Sequence, residues 1–134
     1  MRKRLKDLTA LVEGAEIAGD PQTVITDIVQ DSRQVSRGAM FVALAGAHVD
    51  GHTFISAAAA KGAAAVLTET ETTVPPGMAV LRVPCMKTAL SIIVPAFWDY
   101  PGHALRLIGI TGTNGKTTTK ELVSAVLAEK YNVL

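Results

Sequence analysis

Residues 109 to 120 read Gly-Ile-Thr-Gly-Thr-Asn-Gly-Lys-Thr-Thr-Thr-Lys, two closely spaced glycines followed by a lysine and a run of hydroxyls. That combination binds phosphate. Gly112 and Gly115 permit the torsions and close approach that wrapping an anion requires. Lys116 would reach terminal phosphates, and the Thr117 hydroxyl is placed to bind a magnesium ion. The general pattern G-x-x-x-x-G-K-[ST] would put its first glycine at position 110, where this chain has Ile110. The bland alternative is a glycine-rich turn with a surface lysine, which requires several signals to coincide by chance.

Two elements must position this loop. Upstream, Leu105, Leu107, Ile108 and Ile110 form a short β-rich run, and downstream Leu122, Val123, Val126 and Leu127 recur at helical spacing. The spacing predicts a strand, then the loop, then a helix whose N-terminal N–H groups and dipole favour an anion.

Earlier in the chain, Leu5, Leu8 and Val12 predict an opening helix, with Arg2, Lys3, Arg4 and Lys6 as its solvated first turn. Val24 to Val29 reads as a strand, followed by Asp31, Ser32 and Arg33. Met40 to Leu44 is a second apolar run, ending in the loop from Gly46 to His52. A helix over Phe54 to Ala60 capped by Thr53, a strand over Ala64 to Leu67 and another over Ala79 to Val83 follow. Leu90, Ile93, Val94 and Phe97 mark the buried face of a further helix, with Pro95 expected to kink it or delay its start. The alternation predicts an α/β domain over residues 1–102. Residues 103–134 read as the first strand, phosphate loop and helix of a second domain, expected to be cut short because only Tyr131 to Leu134 follow the helix. The stripe Leu122, Val123, Val126 and Leu127 is then expected to be mobile, or to dock on the first domain or on another copy of the chain.

The 134 residues are 49% hydrophobic and 19% charged, with net charge +1, which places the chain in the globular class and gives no basis for a nucleic-acid surface. Cys85 is the only cysteine, so an internal disulfide is excluded. It reads as a small buried hydrophobe rather than a nucleophile. No apolar run of about 18 residues and no hydrophobic signal core occur, so no membrane insertion and a cytoplasmic location are expected. His48 and His52 lie four apart, but Asp50-Gly51 between them argues for a turn rather than a zinc site.

Together these segments resemble the Mur ligases. Thr111 to Thr119 matches the family's phosphate loop, a form shared with the folylpolyglutamate synthetases. Asp31-Ser32-Arg33, then Gly38 to Leu44, then Gly46 through Asp50-Gly51-His52, are similar to the family's D-[ST]-R, G-x-x-F-V-A-L-x-G and D-G-H sequences. The features from Val49 to Ile55, Phe97 to Pro101 and the T-G-T-N-G-K-T-T-T form look like the third-step members, which add an amino acid to UDP-N-acetylmuramoyl-L-alanyl-D-glutamate. Lys120-Glu121-Leu122 looks like the fourth-step members, which add D-alanyl-D-alanine.

The resemblance implies an ATP- and magnesium-dependent ligase as the parent enzyme, with the present chain inactive alone. By the same resemblance, the first domain holds the uridine diphosphate end of the UDP-N-acetylmuramoyl-peptide substrate through Gln30, Ser32, Ala47, His48 and Val49. Gly112, Thr113, Asn114, Gly115, Lys116, Thr117 and Thr118 would hold ATP, with Lys116 catalytic and Thr117 on the metal. Taken alone, Asp31-Ser32-Arg33 also fits a strand-end turn closed by an Asp to Arg pair.

Overall fold

Residues 1–46 and 50–133 are described by a computed structural model, in which Met1–Pro101 and Gly102–Leu134 form two compact units. Ala47, His48, Val49 and Leu134 lie outside the described residues.

In the first unit, four short apolar segments pair in parallel: β4 (Asp27–Val29), β5 (Ala39–Val42), β6 (Ala65–Thr68) and β7 (Ala79–Arg82). β2 (Glu16–Ala18) adds an antiparallel edge on β7, giving the order β2-β7-β6-β5-β4. Period-two alternation sends successive side chains to opposite faces. Met40, Val42, Ala65, Leu67, Ala79 and Leu81 join one buried cluster with Leu5 and Leu8 of α1 (Leu5–Thr9) and with Met86, Ala89, Ile93 and Phe97 of α3 (Met86–Phe97). Ala39, Phe41, Val66 and Val80 join the other cluster, with Ile55 and Ala58 of α2 (Ile55–Ala60). The sheet is thus the middle layer of an α/β sandwich, because its strands are apolar on both faces.

Several expectations change in detail. The run from Val24 to Val29 is two strands. β3 (Val24–Ile25) pairs antiparallel with β1 (Lys3–Arg4), while β4 belongs to the main sheet. The break falls at Thr26, whose N–H and hydroxyl donate to the carbonyls of Gly38 (3.0 Å) and Arg37 (3.1 Å). Lys3 and Arg4 therefore lie in a strand and not in a first helical turn, and Lys3 ion-pairs with Asp99. Pro95 sits within α3 near its C-terminal end, where the missing N–H removes one bond of the ladder. Cys85 is exposed, immediately before α3, rather than packed in the core.

In the second unit, α4 (Lys116–Ala128) follows the glycine-rich loop as expected. Residues 105–110 form no strand among the described residues. A strand exists through its ladder, and none is paired there. Leu107 and Ile108 are exposed. The Arg106 guanidinium lies 5.6 Å from the centre of the Tyr131 ring, linking the segment before the loop to the one after α4.

Candidate functional site

The first candidate site lies at the carboxyl ends of the parallel strands, where open α/β sheets bind ligands. Gln30, Asp31, Ser32 and Arg33 leave the end of β4, an edge strand of the sheet. The Asp31 carboxylate accepts from the Arg33 N–H at 2.9 Å, and from Nε and Nη2 at 3.0 and 2.7 Å. These hydrogen bonds, the guanidinium's above all, hold the Asp31 carboxyl down at about 2. The Asp to Arg pair considered from sequence is present, and it shapes the turn on which Ser32 sits. Lys61, just past α2, donates to the Arg33 carbonyl at 3.0 Å and ties down the other end.

Two recesses flank this turn. One, of about 650 Å³, runs from Gln30, Asp31 and Gln34 across Ile28 and Val42 to Leu90, Ser91 and Val94 on α3. The other, of about 550 Å³, is lined by Gln30, Asp31, Ser32, Arg33 and Phe54. Gln30 and Ser32 are therefore brought together, and their side chains make no hydrogen bond to another described residue. Ala47, His48 and Val49 fall outside the described residues.

The ends of the loop carrying those three residues are well fixed. Ala45 and Asp50 form an antiparallel bridge, and the Gly51 N–H donates to the Leu44 carbonyl at 2.7 Å. A Cβ on Gly51 would meet both the N and the O of Leu44 at 2.7 Å, so the position requires glycine for space. A 3-10 helix, Gly51–Phe54, follows. Its cap is Asp50, which accepts from the His52 N–H at 3.0 Å; Thr53, predicted as a cap, instead donates its hydroxyl to the Asp50 carbonyl.

His52 is the residue whose role the sequence hid. Its Nδ1 lies 2.6 Å from Asp50 Oδ1, and its Nε2 lies 2.8 Å from Thr68 Oγ1 and 3.1 Å from Thr70 Oγ1. The His52 backbone N–H, and then its ring, lower the Asp50 carboxyl. Thr68 is fully buried at the end of β6. The D-G-H sequence thus caps a helix, admits a close backbone approach and bolts the turn to the sheet. Among the described residues no cluster of three or more metal-ligating side chains occurs.

The second candidate site is the loop before α4. Gly115 is the N-cap at φ +74°, and no side chain caps this terminus. The N–H groups of Lys116, Thr117 and Thr118 belong to the first turn, which has no intrahelical acceptors to offer them; Thr119 makes the first helical bond, to the Gly115 carbonyl at 2.9 Å. Lys116 Nζ donates to the Gly112 carbonyl at 2.6 Å and lies 3.5 Å from that of Thr113, so the ammonium folds back over the loop. Thr113 and Asn114 form the bend between the two glycines. Unpaired amides, a positive helix end and an ammonium fit phosphate oxygens. The Thr117 hydroxyl, without a hydrogen bond to another described residue, fits a magnesium ligand.

Residues 24–98 match the Mur ligase family, catalytic domain, and residues 110–134 match the Mur ligase middle domain. This chain belongs to the Mur ligase family. The Mur ligase chain is 43% identical, over 93% of its length, to the UDP-N-acetylmuramoyl-L-alanyl-D-glutamate--2,6-diaminopimelate ligase of Geobacter sulfurreducens, and covers 25% of that protein. Among solved structures it is similar to MurF from Acinetobacter baumannii, with TM-score 0.74 and 30% identity over 97% of this chain and 28% of that one. MurF from Thermotoga maritima in complex with ADP gives TM-score 0.62 and 32% identity over 81% of this chain and 24% of that one. The Mur ligase chain thus spans about a quarter of the length of the curated relative it matches.

Proposed function

We propose that this chain is the uridine-binding and phosphate-loop portion of an ATP-dependent peptidoglycan-precursor ligase of the third-step, MurE type. The parent enzyme would add diaminopimelate or lysine to UDP-N-acetylmuramoyl-L-alanyl-D-glutamate in the cytoplasm. One observation carries the reading: the recess signature and the phosphate loop occur in order in one chain, with 43% identity to a ligase named for diaminopimelate. The second reading, a fourth-step, MurF-type ligase, draws on the fold likeness to MurF, which a 2,6-diaminopimelate ligase structure matches closely (TM-score 0.71 against 0.74).

In the proposed reaction, the γ-phosphoryl group of ATP passes to the substrate's glutamate carboxylate, and the resulting acyl phosphate is attacked by an amine, releasing phosphate. Lys116 and the amides from Gly112 to Thr118 would neutralise phosphate charge and fix the donor in line. Magnesium, held partly by Thr117, would supply charge stabilisation at the phosphate oxygens. Residues 1–102 would hold the uridine diphosphate end through Gln30, Ser32 and the loop containing Ala47, His48 and Val49.

The deciding experiment uses the full-length parent protein with ATP and UDP-N-acetylmuramoyl-L-alanyl-D-glutamate, offered diaminopimelate or lysine. In parallel, the tripeptide form is offered D-alanyl-D-alanine. Amide formation with the first substrate supports the third-step reading; product only with the second establishes the fourth-step reading instead.

A further inference from the structure

Phe54 is a large apolar side chain left 40% exposed, and it lines one recess with Gln30, Asp31, Ser32 and Arg33. The other aromatic of this sheet region, Phe41, is buried in the core. Phe54 closes the 3-10 helix that His52 bolts to Thr68, so its backbone is fixed to the sheet although its ring is half open to solvent. The same recess is lined by Gln30, whose amide is both donor and acceptor, and by Ser32, whose hydroxyl can act as either. The Asp31 carboxylate is already occupied by Arg33. A flat apolar face beside such hydrogen-bonding groups, in a recess of about 550 Å³, suits a planar heteroaromatic ring with alternating donors and acceptors.

We infer that Phe54 is a specificity-determining residue that stacks on the pyrimidine base of the ligand, while Gln30 and Ser32 read the base edge. This inference rests on the uridine reading of the recess proposed above. It adds a residue and a mode of selection, in which aromatic planarity of the base is sensed by Phe54 and not by the hydrogen-bonding pair.

The test titrates the chain with UDP and with 5,6-dihydro-UDP, whose base keeps its carbonyls and N–H but loses its planarity, using calorimetry or amide NMR shifts. Wild type should prefer UDP. Phe54→Leu keeps apolar bulk without a π face, and should weaken UDP binding about 5- to 30-fold, the usual worth of one base–aromatic stack, while leaving dihydro-UDP nearly unchanged. Phe54→Tyr should restore both affinity and preference to within about twofold. UDP binding by Phe54→Leu at the wild-type level, or equal loss of both ligands in Phe54→Leu and Phe54→Tyr, would overturn the assignment of Phe54 alone. Failure of wild type to bind UDP at all would overturn the uridine reading together with it.

Discussion

The imidazole of His52 meets the fully buried hydroxyl of Thr68, Nε2 to Oγ1, at 2.8 Å, joining the turn after β5 to the end of β6. Thr68 Oγ1 also accepts from the Thr70 N–H and donates to the Thr70 carbonyl, both at 3.1 Å. The hydroxyl is the node of a small network rather than half of a pair. His52→Ala and Thr68→Val should each lower stability by about 1 to 2 kcal/mol, the scale of one or two buried hydrogen bonds. In a double-mutant cycle followed by urea unfolding, the two losses should fall short of additivity by about 1 kcal/mol. Strict additivity would show that the contact carries no energy.

Acid should act late on the turn that bears Ser32. Asp31 titrates near 2 in the folded chain, below its ordinary 3.8, because Arg33 hydrogen-bonds the charged form. A depressed carboxyl stabilises the fold above its unfolded pKa and loses that contribution as pH falls through the folded value. The turn should therefore persist at pH 4 and come apart between about pH 3 and 2. The Arg33 amide shift should follow a single titration near 2, and Asp31→Asn should abolish it. A midpoint near the ordinary value would mean that the ion pair does not form in solution.

Lys116→Ala in the full-length parent should abolish ATP-dependent ligation and leave affinity for the UDP-linked substrate within about twofold. Removing an ammonium from the phosphate loop deletes charge stabilisation at the transferred group. Gln30 and Ser32 lie in the other compact unit. Steady-state turnover and direct substrate titration on the same preparation separate the two effects, and a matching loss of substrate affinity would contradict the division of roles.

Leu122 and Val126 are 64% and 74% exposed on α4. An apolar stripe of this kind favours association. The isolated chain should therefore sediment above monomer mass with rising concentration, and Leu122→Lys with Val126→Lys should return it to monomer. Unchanged sedimentation in the double variant would remove α4 from the contact.

The longer periodic helix is legible in the sequence: the 3,4 spacing within α3 marks its buried face, while Leu5 and Leu8 mark a short α1 that ends at Thr9, before Val12. β2 is not, because Glu16, Ile17 and Ala18 have too little pattern to distinguish an edge strand from a loop; only pairing with β7 makes them one. Val24 to Val29 looks uniform in composition, and the division at Thr26 depends on hydrogen bonds to Arg37 and Gly38 across the sheet. Asp50 displaces Thr53 as the cap because its carboxylate reaches the His52 N–H, a choice made by loop geometry. Cys85 defeats a reading from residue type because hydrophobicity says nothing of which end of a helix faces water. Gln30 and Ser32 are found by motif, whereas the contribution of His52 needs Thr68, sixteen residues away, to become visible.

Gly51 and Gly115 are demanding in different senses. At Gly51 any L side chain strikes the backbone of Leu44, whereas at Gly115 nothing lies within 4 Å of where a Cβ would stand and only the sign of φ excludes one. The second constraint is one of handedness. A D-alanine introduced at 115 by chemical synthesis would find φ near +74° its natural minimum, as an L-residue finds the mirror value. The phosphate loop is thus a place where chirality, and not volume, limits the choice of residue, and the mirror-image amino acid would hold its curve with less conformational freedom to lose than glycine.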